Sequence, residues 1–177
     1  MAWVFSLSIE CGSEKTRAED CAHYFDGLSL QRSDQQIHHC SASLFQDLEE
    51  NWWCRVCPDK LSEIGIDAPQ MAYVMTELGI LLYRHLQSAP PFRYALAGVE
   101  VDEFRTYSEL QEDAAVLGVL FPGLVLSEET WRSLSCPSAF RPFRSGYVWK
   151  RYEGEVYRPL IASPDLTDKL NELLILQ

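Results

Sequence analysis

Trp3-Val4-Phe5-Ser6-Leu7-Ser8-Ile9-Glu10 is the stretch on which the fold turns. Trp3, Phe5, Leu7 and Ile9 fall on one side of an extended chain, and Ser6, Ser8 and Glu10 on the other. That period-two alternation is the pattern of a half-buried strand with one polar face. Cys11-Gly12-Ser13 breaks it, and Ala18, Cys21, Ala22, Phe25 and Leu28 then recur at helical spacing. Thr16 and Glu19 have capping-box spacing, Ser13 is an alternative N-cap, and Gly27 is placed to end the helix. The opening is a strand followed by an amphipathic helix.

Working outward, Ile37 to Phe45 reads as a second strand and Trp52 to Cys57 as a third. Glu49-Glu50-Asn51 connects them, and Pro58-Asp59 stops the third. Asp67 is then a good N-cap, with Pro69 near the first helical position and Gln70 three residues after the Asp. Met71, Val74, Met75, Leu78, Leu81, Leu82 and His85 draw one continuous stripe that stops before Pro90-Pro91. Gly79 inside it costs about 1 kcal/mol relative to Ala, which so wide a stripe overcomes. Phe92 to Val101 reads as a fourth, well-buried strand.

The resulting β-α-β-β-α-β order predicts an α+β fold, a ferredoxin-like sandwich in which two helices cover one face of an antiparallel sheet and the other face stays open. Residues 102–177 read as a C-terminal α/β extension of short helices and a hairpin. Its expected parts are an acidic helix over Asp102 to Asp113 carrying Phe104, Tyr107 and Leu110, and a strand over Val116 to Phe121. A helix capped by Ser127 and holding Trp131 and Leu134 follows, and then a Pro-interrupted loop from Cys136 to Arg144. A hairpin of Tyr147 to Tyr152 and Glu155 to Leu160 turns at Glu153-Gly154. A last helix opens at Ser163-Pro164-Asp165. No repeat or low-complexity linker divides the chain, so residues 1–177 are expected to form one domain, a core of 1–101 with 102–177 packed on it. Separate units over those two ranges are the alternative.

The 177 residues carry 26 Asp and Glu against 15 Lys and Arg, a formal charge of −11. That balance argues against non-specific nucleic-acid binding, which needs cations to displace counterions from phosphate. With 47% hydrophobic residues, the chain is long enough to bury roughly 70% of its unfolded surface without a staple. No run approaches the ~20 apolar residues that span a bilayer. The first basic residue, Lys15, follows the apolar start, so a secretory signal is not expected. The expectation is a soluble, cytoplasmic protein in which Cys11, Cys21, Cys40, Cys54, Cys57 and Cys136 are mostly free thiols packed as small hydrophobes.

All of the excess negative charge falls in residues 1–120, while residues 121–177 balance. There Arg132, Arg141, Arg144, Lys150, Arg151 and Arg158 lie among Phe140, Phe143, Tyr147, Trp149, Tyr152 and Tyr157. One interpretation is an anion or single-stranded nucleic-acid surface, with Arg meeting phosphate and rings stacking bases. A second is a hairpin whose rings pack while its cations reach water, and a third pairs the cations with the acidic remainder of the chain. The hairpin is favoured, since one short basic run falls short of a domain-wide footprint. Arg141, Arg144, Tyr147, Trp149 and Arg151, with His39 on the open sheet face, are the candidate ligand-binding residues.

Cys54-Arg55-Val56-Cys57 has the spacing of a redox dithiol. Such a site needs its first thiol at a helix N-terminus, and here a strand surrounds it. A zinc site could add His38, His39 or Cys40, but Cys54 and Cys57 point to opposite faces of a regular strand. His38 or His39 could act as a base; only one can line a given pocket, and His39, Ser41 and Ser43 would share the open face with Ser6 and Ser8. His85 and His23 read as boundary and surface residues. No nucleophile elbow, zincin, P-loop, dinucleotide-binding or EF-hand pattern occurs. No catalytic residue, metal or cofactor is therefore assigned.

The function expected is a non-enzymatic interaction protein for a basic protein partner, inhibitor- or immunity-like by analogy of charge, with a homodimer also open. The alternative is a small-molecule or anion-binding module, an enzyme included, that uses the open face or residues 141–158.

Overall fold

The computed structural model describes residues 4–61, 68–101, 105–116 and 121–155. Among them the chain runs through β1 (Phe5–Glu10), α1 (Lys15–Phe25), β2 (Ser29–Gln31), β3 (Ile37–Gln46), β4 (Trp52–Pro58), α2 (Pro69–Leu86) and β5 (Tyr94–Val99). It continues through α3 (Tyr107–Val116), β6 (Val125–Ser127), α4 (Glu128–Ser133), β7 (Arg141–Arg144) and β8 (Tyr147–Trp149). The result is a mixed α and β fold built on one open antiparallel sheet of eight strands, ordered β2-β3-β4-β1-β5-β6-β8-β7. No helix among the described residues is long and apolar enough to cross a membrane.

This sheet is twice as wide as the four-stranded expectation. β2 adds one edge, and β6, β8 and β7 extend the other. The extra strands are only three or four residues long, too short to show an alternation in the sequence. β7 pairs β8 around Gly146, whose φ of 79° suits glycine, a hairpin not predicted from the sequence. Residues 156–160 of the predicted hairpin and 117–120 of the predicted strand lie outside the described residues. Residues 151–155 form no strand. Val116 ends α3 rather than opening a strand. Asp67, Phe104 and the terminal helix predicted from Ser163 lie outside the described residues.

Two apolar layers sandwich the sheet. On one side Leu7, Ile9, Cys54 and Val56 pack against Ala18, Cys21 and Phe25 of α1 and Met75, Leu78 and Leu82 of α2. α1 ends as expected, with Gly27 at φ 76° donating its N–H to the Cys40 carbonyl. On the other side Trp53, Tyr94, Leu96 and Leu126 pack with Leu110 of α3 and Leu134 beyond α4. That second core corrects the expectation of an open face. Ser6, Ser8 and Glu10, predicted as the wet side of β1, are fully buried. Its β3 border stays accessible, where His39, Ser41 and Ser43 are exposed.

Two side chains complete the sheet where β6 stops short. Along β5, β6 reaches only Tyr94 and Ala95. Beyond it, the Ala97 N–H donates to the Tyr83 hydroxyl at 2.9 Å, and the Val99 N–H to the Glu155 carboxylate at 3.3 Å. Buried amides need an acceptor, and these two substitute for a missing strand.

Candidate functional site

The β3–β4 hairpin closes over Asp47-Leu48-Glu49-Glu50-Asn51, and Asp47 organises it. Its Oδ1 accepts the N–H groups of Glu49 and Asn51 at 2.9 and 3.0 Å, and its Oδ2 accepts the indole N–H of Trp53 at 2.8 Å. An aspartate taking backbone amides two residues on is the device that fixes such turns. The Asp47 N–H donates to the Asn51 carbonyl and the Glu50 N–H to the Asp47 carbonyl, while Glu50 adopts a φ of 62°. Gln46 adds a 3.0 Å bond from Nε2 to the Glu50 carbonyl.

The tip is also tied to the second layer. The Glu49 carboxylate accepts the Ser108 N–H at the start of α3, at 3.2 and 3.3 Å. Hydrogen bonding from Thr106 and Ser108 holds that carboxyl below its ordinary range. Beneath the tip an aromatic row crosses the sheet: Phe45 stacks on Trp53 at 5.8 Å, Trp53 meets Tyr94 edge-on at 5.4 Å, and Tyr94 lies 6.4 Å from Tyr107. In the same row sits Glu10, held by both Arg93 nitrogens and by the Gly12 N–H. The Arg93 guanidinium lies 4.3 Å over the Tyr107 ring. Burial raises the Glu10 pKa despite the arginine bound to it.

What this frame holds outward is Leu48, whose surface is 98% exposed. Glu49 and Glu50 beside it are exposed, as are Glu109 and Glu112 on α3. A hydrogen-bonded turn thus carries a bare apolar side chain between Asp47 and the exposed Glu49 and Glu50.

The residues singled out in the sequence are placed elsewhere. The Arg144 guanidinium donates to the carbonyls of Gln87 at 3.2 Å, Ala89 at 2.6 Å and Pro90 at 3.5 Å, closing the C-terminal end of α2. It also lies 4.2 Å over the Tyr147 ring. Tyr147 uses its hydroxyl on both the N–H and the carbonyl of Phe92. Trp149 packs against Tyr83 and Phe143, while Arg141 and Arg151 are exposed. Phe143, Tyr147 and Trp149 thus pack within the fold.

His39 is exposed on β3 and contacts Ser29 Oγ at 3.0 Å. Four strands of the sheet separate it from β8, so it does not join the arginines. Cys54 lies in the α1–α2 core opposite Leu44 and Ile9, whereas Cys57 lies on the other face opposite Ser41.

Leu48 gave no signal in the sequence, because one leucine between acids reads as a polar turn. Glu10 gave only its place in the alternation. No family model matches the chain, and neither does any curated protein or solved structure.

Proposed function

We propose that this chain is a binding protein that docks its β3–β4 hairpin into an apolar pocket ringed by basic residues on a protein partner. The carrying observation is Leu48, 98% exposed on a tip fixed by the hydrogen bonds of Asp47. Burying a leucine side chain is worth about 1.5–3 kcal/mol. A tip already ordered forfeits little conformational entropy on binding. Glu49, Glu50, Glu109 and Glu112 supply complementarity to a basic rim, and the net charge of −11 speeds encounter with such a partner. An inhibitor acting on a basic enzyme fits these features.

In this interpretation the scaffold is a ferredoxin-like sandwich of β3-β4-β1-β5 with α1 and α2, widened at both edges. The neighbour order of those four strands supports it, as does the packing of both helices on one face.

A photo-crosslinking amino acid at position 48, compared with one at Asp20 on α1, tests the proposal in lysate of the source cells. The expected result is a crosslink to a basic protein from position 48 alone, lost on raising the salt. Equal crosslinking from both positions, or none from position 48, contradicts it.

A further inference from the structure

A cleft of about 370 Å³ opens between the β2–β3 turn and α2, on a surface distinct from the hairpin tip. Its floor is a buried ion pair. The side chains of Arg32 and Glu77 are only 7% and 6% exposed, with Nε and Oε2 3.1 Å apart. The second Glu77 oxygen accepts the Ser33 N–H. Arg32 Nη1 lies 3.2 Å from Gln36 Oε1 and 3.1 Å from Asp34 Oδ2. Arg32 is thus bound by two carboxylates, Glu77 and Asp34, which fix its geometry.

The rest of the lining differs in kind. Glu77, Ile80, Leu81 and Arg84 share one face of α2 by their spacing of three, four and seven, so two apolar side chains lie between floor and rim. Arg84 is exposed at the rim, and among the described residues it makes no ion pair. Opposite it, Gln31 donates from Nε2 to Gln35 Oε1 at 2.7 Å, which sets two carboxamides side by side at the mouth. With Arg32 bound by Glu77 and Asp34, Arg84 is the one cation of the lining that is not bound to a carboxylate among the described residues.

We infer that this cleft binds a small monocarboxylate with an apolar body. Arg84 takes the carboxylate in the planar two-pronged geometry that guanidinium and carboxylate share. The glutamine amides supply further donors, and the apolar body lies on Ile80 and Leu81. The volume is at the lower end of the range for small-molecule sites, which suits an aromatic or short-chain acid. A phosphate dianion fits poorly, because only Arg84 is unbound to a carboxylate and the other cation of the lining, Arg32, is already held by Glu77 and Asp34.

The test is titration of the whole chain with benzoate, hexanoate and inorganic phosphate, followed by isothermal calorimetry and by amide chemical shifts. Wild type, Arg84→Ala and Arg84→Lys are compared, their melting temperatures establishing that all three fold. Saturable binding of benzoate or hexanoate is expected, with shifts centred on Gln31 and Arg84. Arg84→Ala should weaken it roughly tenfold, about 1.4 kcal/mol, and Arg84→Lys should recover part of the loss. Overturning results are no saturable binding of either acid, tighter binding of phosphate, or equal binding by Arg84→Ala.

Discussion

Arg93 grips both carboxylate oxygens of Glu10, a residue that β1 carries into the buried second face of the sheet. The pair joins the start of β5 to the end of β1, under the aromatic row that supports the hairpin tip. Removing one member leaves an uncompensated buried charge, a loss of about 3 kcal/mol. Arg93→Ala should therefore lower the unfolding free energy in urea by that order, discounted for an Arg93 side chain that is 27% exposed. Glu10→Gln with Arg93→Met should cost less than the sum of the two single changes. A loss below about 1 kcal/mol for Arg93→Ala would show that the pair contributes little.

Glu155 gives a pH dependence. Burial raises its pKa, against hydrogen bonds from Tyr152 and Val99 that lower it. An acid raised in the folded state keeps its proton to a higher pH than the unfolded chain does. Its contribution to stability is thus full below the ordinary carboxylate range and is lost as pH rises through the folded value. Burial gives Glu10 the same sign. The slope of melting temperature against pH, measured from about pH 4.5 to about pH 7, should be flatter in Glu155→Gln than in wild type. Identical slopes would refute this.

Gly79 reverses the usual effect of its substitution. In an exposed helix Gly→Ala adds about 1 kcal/mol of stability. Here a Cβ at position 79 would stand 2.7 Å from the Tyr152 hydroxyl and 2.9 Å from its ring, so the ring must move. Tyr152 is buried and packs against Tyr83 at 5.1 Å. Gly79→Ala should lower the melting temperature, and adding Tyr152→Leu should recover part of the loss. A rise in melting temperature for Gly79→Ala would contradict the packing described.

The thiols should react in order of exposure. Cys136 is exposed and Cys57 half-buried, whereas Cys11, Cys21, Cys40 and Cys54 are buried. Burial pushes the Cys40 thiol up to about 12 and raises that of Cys54 as well, which starves both of the reactive thiolate. A chromogenic disulfide reagent should label one cysteine quickly and a second slowly, the other four only on unfolding. Cys136→Ser should abolish the fast phase. Rapid labelling of Cys54 would count against its place in the core.

Much of this was legible in the sequence and some was not, for reasons that particular residues make plain. Long elements with a clear period, such as β1 and α2, declared themselves because their apolar residues face one layer. So did the Ser127 cap, whose hydroxyl accepts the Thr130 N–H at 3.1 Å. β2 and β6 are only three residues long; β2 is held by the next strand, β3, and β6 by β5 and β8, twenty or more residues away in the chain. The second core was hidden for a similar reason. Its leucines come from separate short elements, and Ser6, Ser8 and Glu10 imply a wet face that α3 and its neighbours cover. The bonds of Arg144 and Tyr147 to backbone groups more than fifty residues away were not legible, because composition does not show where a side chain reaches. Leu48 was missed because exposure is a property of the folded tip.

The most direct measurement compares affinity capture from source-cell lysate by wild type, Leu48→Ala and Leu48→Asp, quantified by mass spectrometry at low and moderate salt. A basic protein recovered by wild type should fall about tenfold with Leu48→Ala and vanish with Leu48→Asp, while the melting temperatures of all three agree. Undiminished recovery of the same partner by Leu48→Asp would contradict docking through the hairpin.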